Sequence, residues 1–263
     1  RHVQLRRQVL APRGEARSDT WIVCELAKRL GLGDRLFGGD EDAGRRFLLE
    51  PTGVTLEQLR ANPGGVRTKT ESRYRRHAEP DAGGAPTGFA TPSRRVEIYS
   101  QQLLEHGQAP LPDHVEPAAS PRSRPDLAGR FPLSLTTAKV VQFCHSQHRS
   151  LPRLRRHSPD PLVEMHPDTA AARGIASNDW AVIETPRGTM RARARLNGSL
   201  APNVVCAQFG WWQACEPLGL GGYDADGPAS GNYNNLIDPD AADPISGTVA
   251  LRSYLCQVRR GEP

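Results

Sequence analysis

No two cysteines in this chain stand close enough to form a ligand pair. Cys24, Cys144, Cys206, Cys215 and Cys256 contain no CxxC spacing and leave an odd count, which argues against a disulfide framework, a zinc ribbon and an iron–sulfur cluster. Most are expected to be small buried hydrophobes. No apolar run approaches the roughly 20 residues that a membrane helix needs, so no transmembrane helix is expected. Apolar residues are sparse, at 37%, while 23 Pro and 25 Gly point to a loop-rich globular protein rather than a disordered one. No signal peptide is visible, but the first residue is Arg1, so the chain reads as processed, truncated or excerpted. A cytoplasmic and a periplasmic location both stay open.

The charge is uneven. Residues 1–130 hold 21 Lys and Arg against 17 Asp and Glu, a balance of +4, whereas residues 131–263 hold 13 against 12, a balance of +1. The excess gathers at Arg67, Lys69, Arg73, Arg75 and Arg76. A nucleic-acid-binding module built on that stretch is one reading, although the later half lacks the positive field such a module would need.

Two differently patterned regions follow. Ser18 and Asp19 can cap a helix stopped by Gly31, with Ile22, Leu26 and Leu30 as its buried stripe and Trp21 and Val23 widening it. Residues 32–87 offer only fragments, among them a short helix at 56–59. Residues 94–100 alternate as a strand, with Val96 and Ile98 on one face, and 101–106 suggest a helical turn. Pro110, Pro112, Pro117, Pro121 and Pro125 punctuate an extended linker.

Beyond it, short strands are expected at 131–135, 163–165 and 204–209, with a small helix over 168–173 ended by Gly174. Strands at 180–185 and 190–196 flank a Pro186-Arg187-Gly188 turn. In the second of these, Arg191, Arg193 and Arg195 alternate with small apolar residues, as on the wet face of a half-buried strand. Many short strands and frequent turns imply a closed β-barrel.

The segment after the first of these strands carries the chemistry. Thr136, Thr137, Lys139, His145, Ser146, Gln147, His148 and Arg149 crowd one loop with hydroxyls, amides, imidazoles and cations, donors for a planar heterocycle and for phosphate. His145, His148, His157 and His166 match no common metal-ligand spacing. Trp211 and Trp212 can stack on a ring, but core positions suit them better. Gly219, Gly221 and Gly222 have no helix behind them and so make no phosphate-binding signature.

This loop, the run Glu164-Met165-His166-Pro167-Asp168, the Asn178-Asp179-Trp180 strand start, Asn232-Tyr233-Asn234-Asn235-Leu236 and Asp243-Pro244-Ile245-Ser246-Gly247 occur in an order that resembles the C-terminal dinucleotide-binding domain of molybdopterin oxidoreductases, the dimethyl sulfoxide reductase family. Upstream, Thr91-Pro92-Ser93-Arg94-Arg95 resembles the approach to that domain.

The resemblance implies a mainly β fold with short helices, a double-psi β-barrel over 131–260, preceded by an irregular α/β lead-in over 1–130. It implies binding of molybdopterin guanine dinucleotide, with molybdenum or tungsten held by the rest of the enzyme and no iron–sulfur cluster in this segment. The binding set it implies is Thr137, Lys139, His145, Ser146, Gln147, Asn234 and Arg252, with no catalytic residue and no metal ligand among them. Partners would be the remaining domains of the same catalytic subunit and an iron–sulfur electron-transfer subunit. Three positions depart from the pattern: Ala138, Asn178 and Asn203 stand where the family favours Gly. A stand-alone decarboxylase-like barrel enzyme shares the architecture; it predicts a self-processing Gly-Ser site or a complete catalytic set, and no complete catalytic set stands out.

Overall fold

The computed structural model describes residues 2–69 and 73–262. The chain divides into two compact units, Arg1–Pro110 and Leu111–Pro263.

In the first unit, strands β1 (His2–Val3) and β2 (Val66–Arg67) pair antiparallel. Helices α1 (Asp19–Arg29), α2 (Glu41–Leu49), α3 (Leu56–Ala61) and α4 (Gln101–Glu105) are all short. The Ser18 side chain accepts from the Trp21 N–H as the expected cap, and Gly31 takes the left-handed conformation that stops α1. Thr55 and Gln58 close a capping box at α3. Helix α2 escapes the periodicity reading, although Asp40 caps it through its carboxylate.

Two expectations fail here. Helix α1 buries Cys24 and Ala27, and the expected stripe of Ile22, Leu26 and Leu30 is at least half exposed, as is Val23, with Trp21 exposed as well. Its packing partner in this unit is the 3-10 segment Gly33–Gly39, which meets the opposite side. Residues 94–100 form no strand, and Val96 and Ile98 are exposed. The alternation there finds no ladder partner, and Arg94 at its start takes the left-handed region at φ 59°. Part of the basic stretch, residues 70–72, lies outside the described residues.

The second unit is the barrel. Helix α5 (Pro125–Ala128) leads into β3 (Leu133–Thr137), two residues later than the pattern suggests. Then come α6 (Pro152–Arg155), β4 (Leu162–Met165), α7 (Pro167–Ala171), β5 (Trp180–Glu184), β6 (Thr189–Leu196), β7 (Val204–Ala207) and β8 (Tyr254–Arg260). The six strands close in the order β3-β7-β4-β6-β5-β8. Two pairs are parallel, β3 with β7 and β4 with β6, and the other four contacts are antiparallel. This is the double-psi β-barrel.

Closure leaves no free edge, and every strand sends alternate residues inward. Leu135, Val163, Met165, Ile183, Met190, Val205 and Val258 fill the interior, with Ala181, Ala192, Ala194 and Ala207 between them. Large against small lets the layers interdigitate, and each fully buried large side chain contributes about 1.5–3 kcal/mol. Outside, Arg191 and Arg193 do more than face water. Their guanidiniums lie 3.9 and 4.0 Å from the Trp180 ring centroid, while Arg195 pairs with Glu164.

The strand directions decide where function can sit. β3, β5 and β7 run one way and β4, β6 and β8 the other. One end therefore carries residues 138–161, the hairpin turn 185–188 and residues 208–253. The opposite end carries the connections 166–179 and 197–203. Asn178 turns the first of these at φ 71°, a conformation that Asn tolerates; Ala138 and Asn203 are not left-handed.

Candidate functional site

Two long connections at one end of the barrel hold Lys139, His145, Ser146, Gln147, Asn234 and Arg252 of the expected binding set. Thr137 closes β3. Its hydroxyl is buried and donates to the Ala207 carbonyl at 2.7 Å, tying the start of the 138–161 loop to β7. After it, Lys139, His145, Ser146 and Gln147 are exposed. His145 and His148 adopt left-handed φ of 49° and 73°. Such strain persists only where the surroundings enforce it.

Arg149 enforces it. The sequence suggests a phosphate-facing cation; the structure buries Arg149 to 1% exposure beneath the loop. Its guanidinium donates to the carbonyls of His145 at 2.6 Å, Gln147 at 3.3 Å and Phe209 at 2.8 Å. It lies 4.5 Å from the Phe143 ring centroid and 5.0 Å from that of Trp211, and Arg155 lies 5.0 Å from the same indole. Carbonyl oxygens and π faces supply what a carboxylate would otherwise have to. Burial, with Arg155 nearby, pushes the pKa of Arg149 down to about 10, so it stays charged at neutral pH. Arg155 is equally buried and donates to the carbonyls of Pro159 at 2.6 Å and Gln213 at 2.8 Å.

The tryptophan pair divides its roles. Trp211 is core, with its indole N–H on Gln208, whereas Trp212 is exposed and donates to the Ser146 carbonyl at 2.9 Å.

In the 208–253 connection, the 3-10 turn Tyr233–Leu236 buries Tyr233 and Leu236 and leaves Asn234 exposed. Tyr233 donates to the Leu251 carbonyl at 2.8 Å, and Ser253 donates its N–H to Leu135 in β3. The turn is thereby tied to the strand that ends at Thr137. Thr185 in the hairpin donates to the Leu236 carbonyl, and at Gly188 an added Cβ would stand 2.8 Å from the Asn235 oxygen. Arg252 is exposed on the wall of a 920 Å³ cleft that Arg124, Arg187, Asp238 and Tyr254 also line. Lys139 and His145 line a separate, much smaller recess over Phe143 and Arg149. The candidates thus share one end of the barrel but not one cavity.

The side chains of Lys139, His145, Ser146, Gln147, Asn234 and Arg252 make no hydrogen bond or ion pair to protein among the described residues. From 136 to 159 the chain holds no Asp or Glu, against Lys139, Arg149, Arg153, Arg155 and Arg156. Unspent donors on an acid-free, cationic loop suit an anionic ligand carrying polar ring edges.

Comparison with known proteins decides which ligand class this is. The Molydopterin dinucleotide binding domain matches residues 133–255, which hold the first five strands of the barrel, the start of the sixth and the long connections. Residues 133–255 are a molybdopterin dinucleotide-binding domain. Acetylene hydratase of Syntrophotalea acetylenica is 28% identical over 95% of this chain and 34% of its own length. Trimethylamine-N-oxide reductase of Haemophilus influenzae is 28% identical over 82% of this chain and 28% of its own. The solved acetylene hydratase from Pelobacter acetylenicus superposes with a TM-score of 0.74 at 26% identity, covering 97% of this chain and 34% of that one. The chain spans about a third or less of the length of these relatives.

The donor set fits a molybdopterin dinucleotide. Lys139, His145, Ser146 and Gln147 would hold it from one connection, and Asn234 and Arg252 from another. Reading the sequence alone misses that Arg149 and Arg155 are buried supports, that Trp212 is the exposed indole, and that Gly210 lies under the loop. One signal was available for the loop's character, its 24 residues without a carboxylate.

Proposed function

We propose that this end of the barrel binds molybdopterin guanine dinucleotide and fixes it for a catalytic centre formed with other parts of the same subunit. The observation that carries the reading is the convergence of exposed, unpaired donors from two connections on one end of a barrel that matches a dinucleotide-binding domain. The bound cofactor would supply a molybdenum or tungsten centre for two-electron chemistry. This chain's residues would orient its anionic tail, Lys139 by charge and Ser146, Gln147 and Asn234 by paired donors and acceptors. The remaining domains of the subunit are the partners this role requires; an iron–sulfur electron-transfer subunit is a further candidate.

Acid hydrolysis of purified, metal-loaded protein tests the assignment. Guanosine monophosphate released in proportion to metal is the expected result. Metal without any guanine nucleotide would overturn the guanine form.

A further inference from the structure

The chain from His145 to Gln147 is gripped by its carbonyls. Arg149 takes the oxygens of His145 and Gln147 from beneath, and the Trp212 indole takes that of Ser146. Three consecutive carbonyls are therefore spent on the protein. In a trans peptide the C=O and the following N–H point in opposite directions, and no peptide among the described residues is cis. The N–H groups of Ser146 and His148 must then face away from the donors that hold the His145 and Gln147 oxygens. The Gln147 N–H bonds back to the Cys144 carbonyl, whereas those of Ser146 and His148 have no protein acceptor among the described residues. The left-handed φ at His145 and at His148 accompanies this arrangement.

Resting on the dinucleotide reading above, we infer that Arg149 and Trp212 are positioning residues: by holding three carbonyls, they turn the Ser146 and His148 amides outward as a preformed anion-binding pair. Neither side chain touches the ligand in this role. Arg149 is buried under the loop, and the indole N–H of Trp212 is already committed. Their effect is preorganisation, since backbone N–H groups aimed outward beforehand need no reordering when an anion arrives. The buried charge of Arg149 adds positive potential from below while its donors stay engaged.

The test uses the whole chain, inorganic pyrophosphate as probe, and backbone amide chemical shifts as readout. In the parent chain, titration at low salt is expected to move the Ser146 and His148 amides together. Trp212→Phe keeps a ring at an exposed position and removes only the donor, so folding is expected to survive. It should weaken pyrophosphate about three- to tenfold, the worth of one hydrogen bond. Arg149→Lys keeps the charge but loses the forked grip, and should weaken binding further. If both amides shift but Trp212→Phe binds as tightly as the parent, the positioning role is overturned while the loop remains an anion site. If neither amide responds in the parent chain, the positioning role fails and the loop loses its place in the dinucleotide reading.

Discussion

A Cβ at Gly210 would stand 2.8 Å from the carbonyl oxygen of His145 and 2.9 Å from the Ser146 Cα. The residue also holds φ at 79°, where side chains are disfavoured. The loop can lie against the strand extension beyond β7 only because nothing projects there. Gly210→Ala is expected to cost at least about 1–2 kcal/mol, read as a lower urea midpoint. Fewer anions should bind as the His145–Ser146 segment lifts.

Arg149 carries more of the fold than its place in a loop suggests. Arg149→Met keeps the stem but leaves the carbonyls of His145, Gln147 and Phe209 without their donor. Orphaning buried polar groups costs about 1–3 kcal/mol each, so a total of several kcal/mol is expected in denaturant titrations. Trp211 emission should change too, because the guanidinium that lies over its ring is gone.

Lys139 is exposed and unpaired, so its replacement should spare stability and act on the ligand alone. Lys139→Ala is expected to lower dinucleotide retention about tenfold at low salt. The gap from the parent should narrow as salt rises, since a solvent-facing charge is screened. An unchanged salt dependence would remove Lys139 from the phosphate-contacting set.

Alkaline pH should weaken the barrel. Burial pushes the Cys256 thiol from its ordinary 9.0 up to about 12, and burial also raises the phenols of Tyr223 and Tyr233. The unfolded chain ionises first, so the contribution is whole below the ordinary value and is lost as pH climbs towards the folded one. For Cys256 that window runs from about pH 9 to about 12. Urea midpoints should fall across it, and less steeply for Cys256→Ser. In the native protein at neutral pH, iodoacetamide should modify exposed Cys144 first and leave Cys24, Cys215 and Cys256 protected.

The barrel was legible where a pattern is local. Alternation along 190–196 and the Pro-Arg-Gly turn place β6 and its hairpin correctly, because the period of two is a property of the strand itself. The same logic misled at 94–100, since alternation needs a neighbouring strand to pair with. It misled again along α1, where hydrophobicity did not say which side the packing partner occupies. At the site, Lys139, His145, Ser146 and Asn234 could be picked out by residue type and by family order. Arg149 could not be separated from them, because a buried and a solvent-facing arginine are identical as letters.

The sequence by itself determined the class of this protein: a β-barrel segment without metal-ligand spacing, bearing a loop of donors and no acids. Strand pairing decided the rest. Two parallel and four antiparallel contacts bring residues almost 100 positions apart, Thr137 and Asn234, to the same end of the barrel. Three pinned carbonyls settle which atoms of the loop face outward. Both outcomes depend on contacts between distant parts of the chain, and a peptide's direction is fixed by what grips its oxygen rather than by its own side chains.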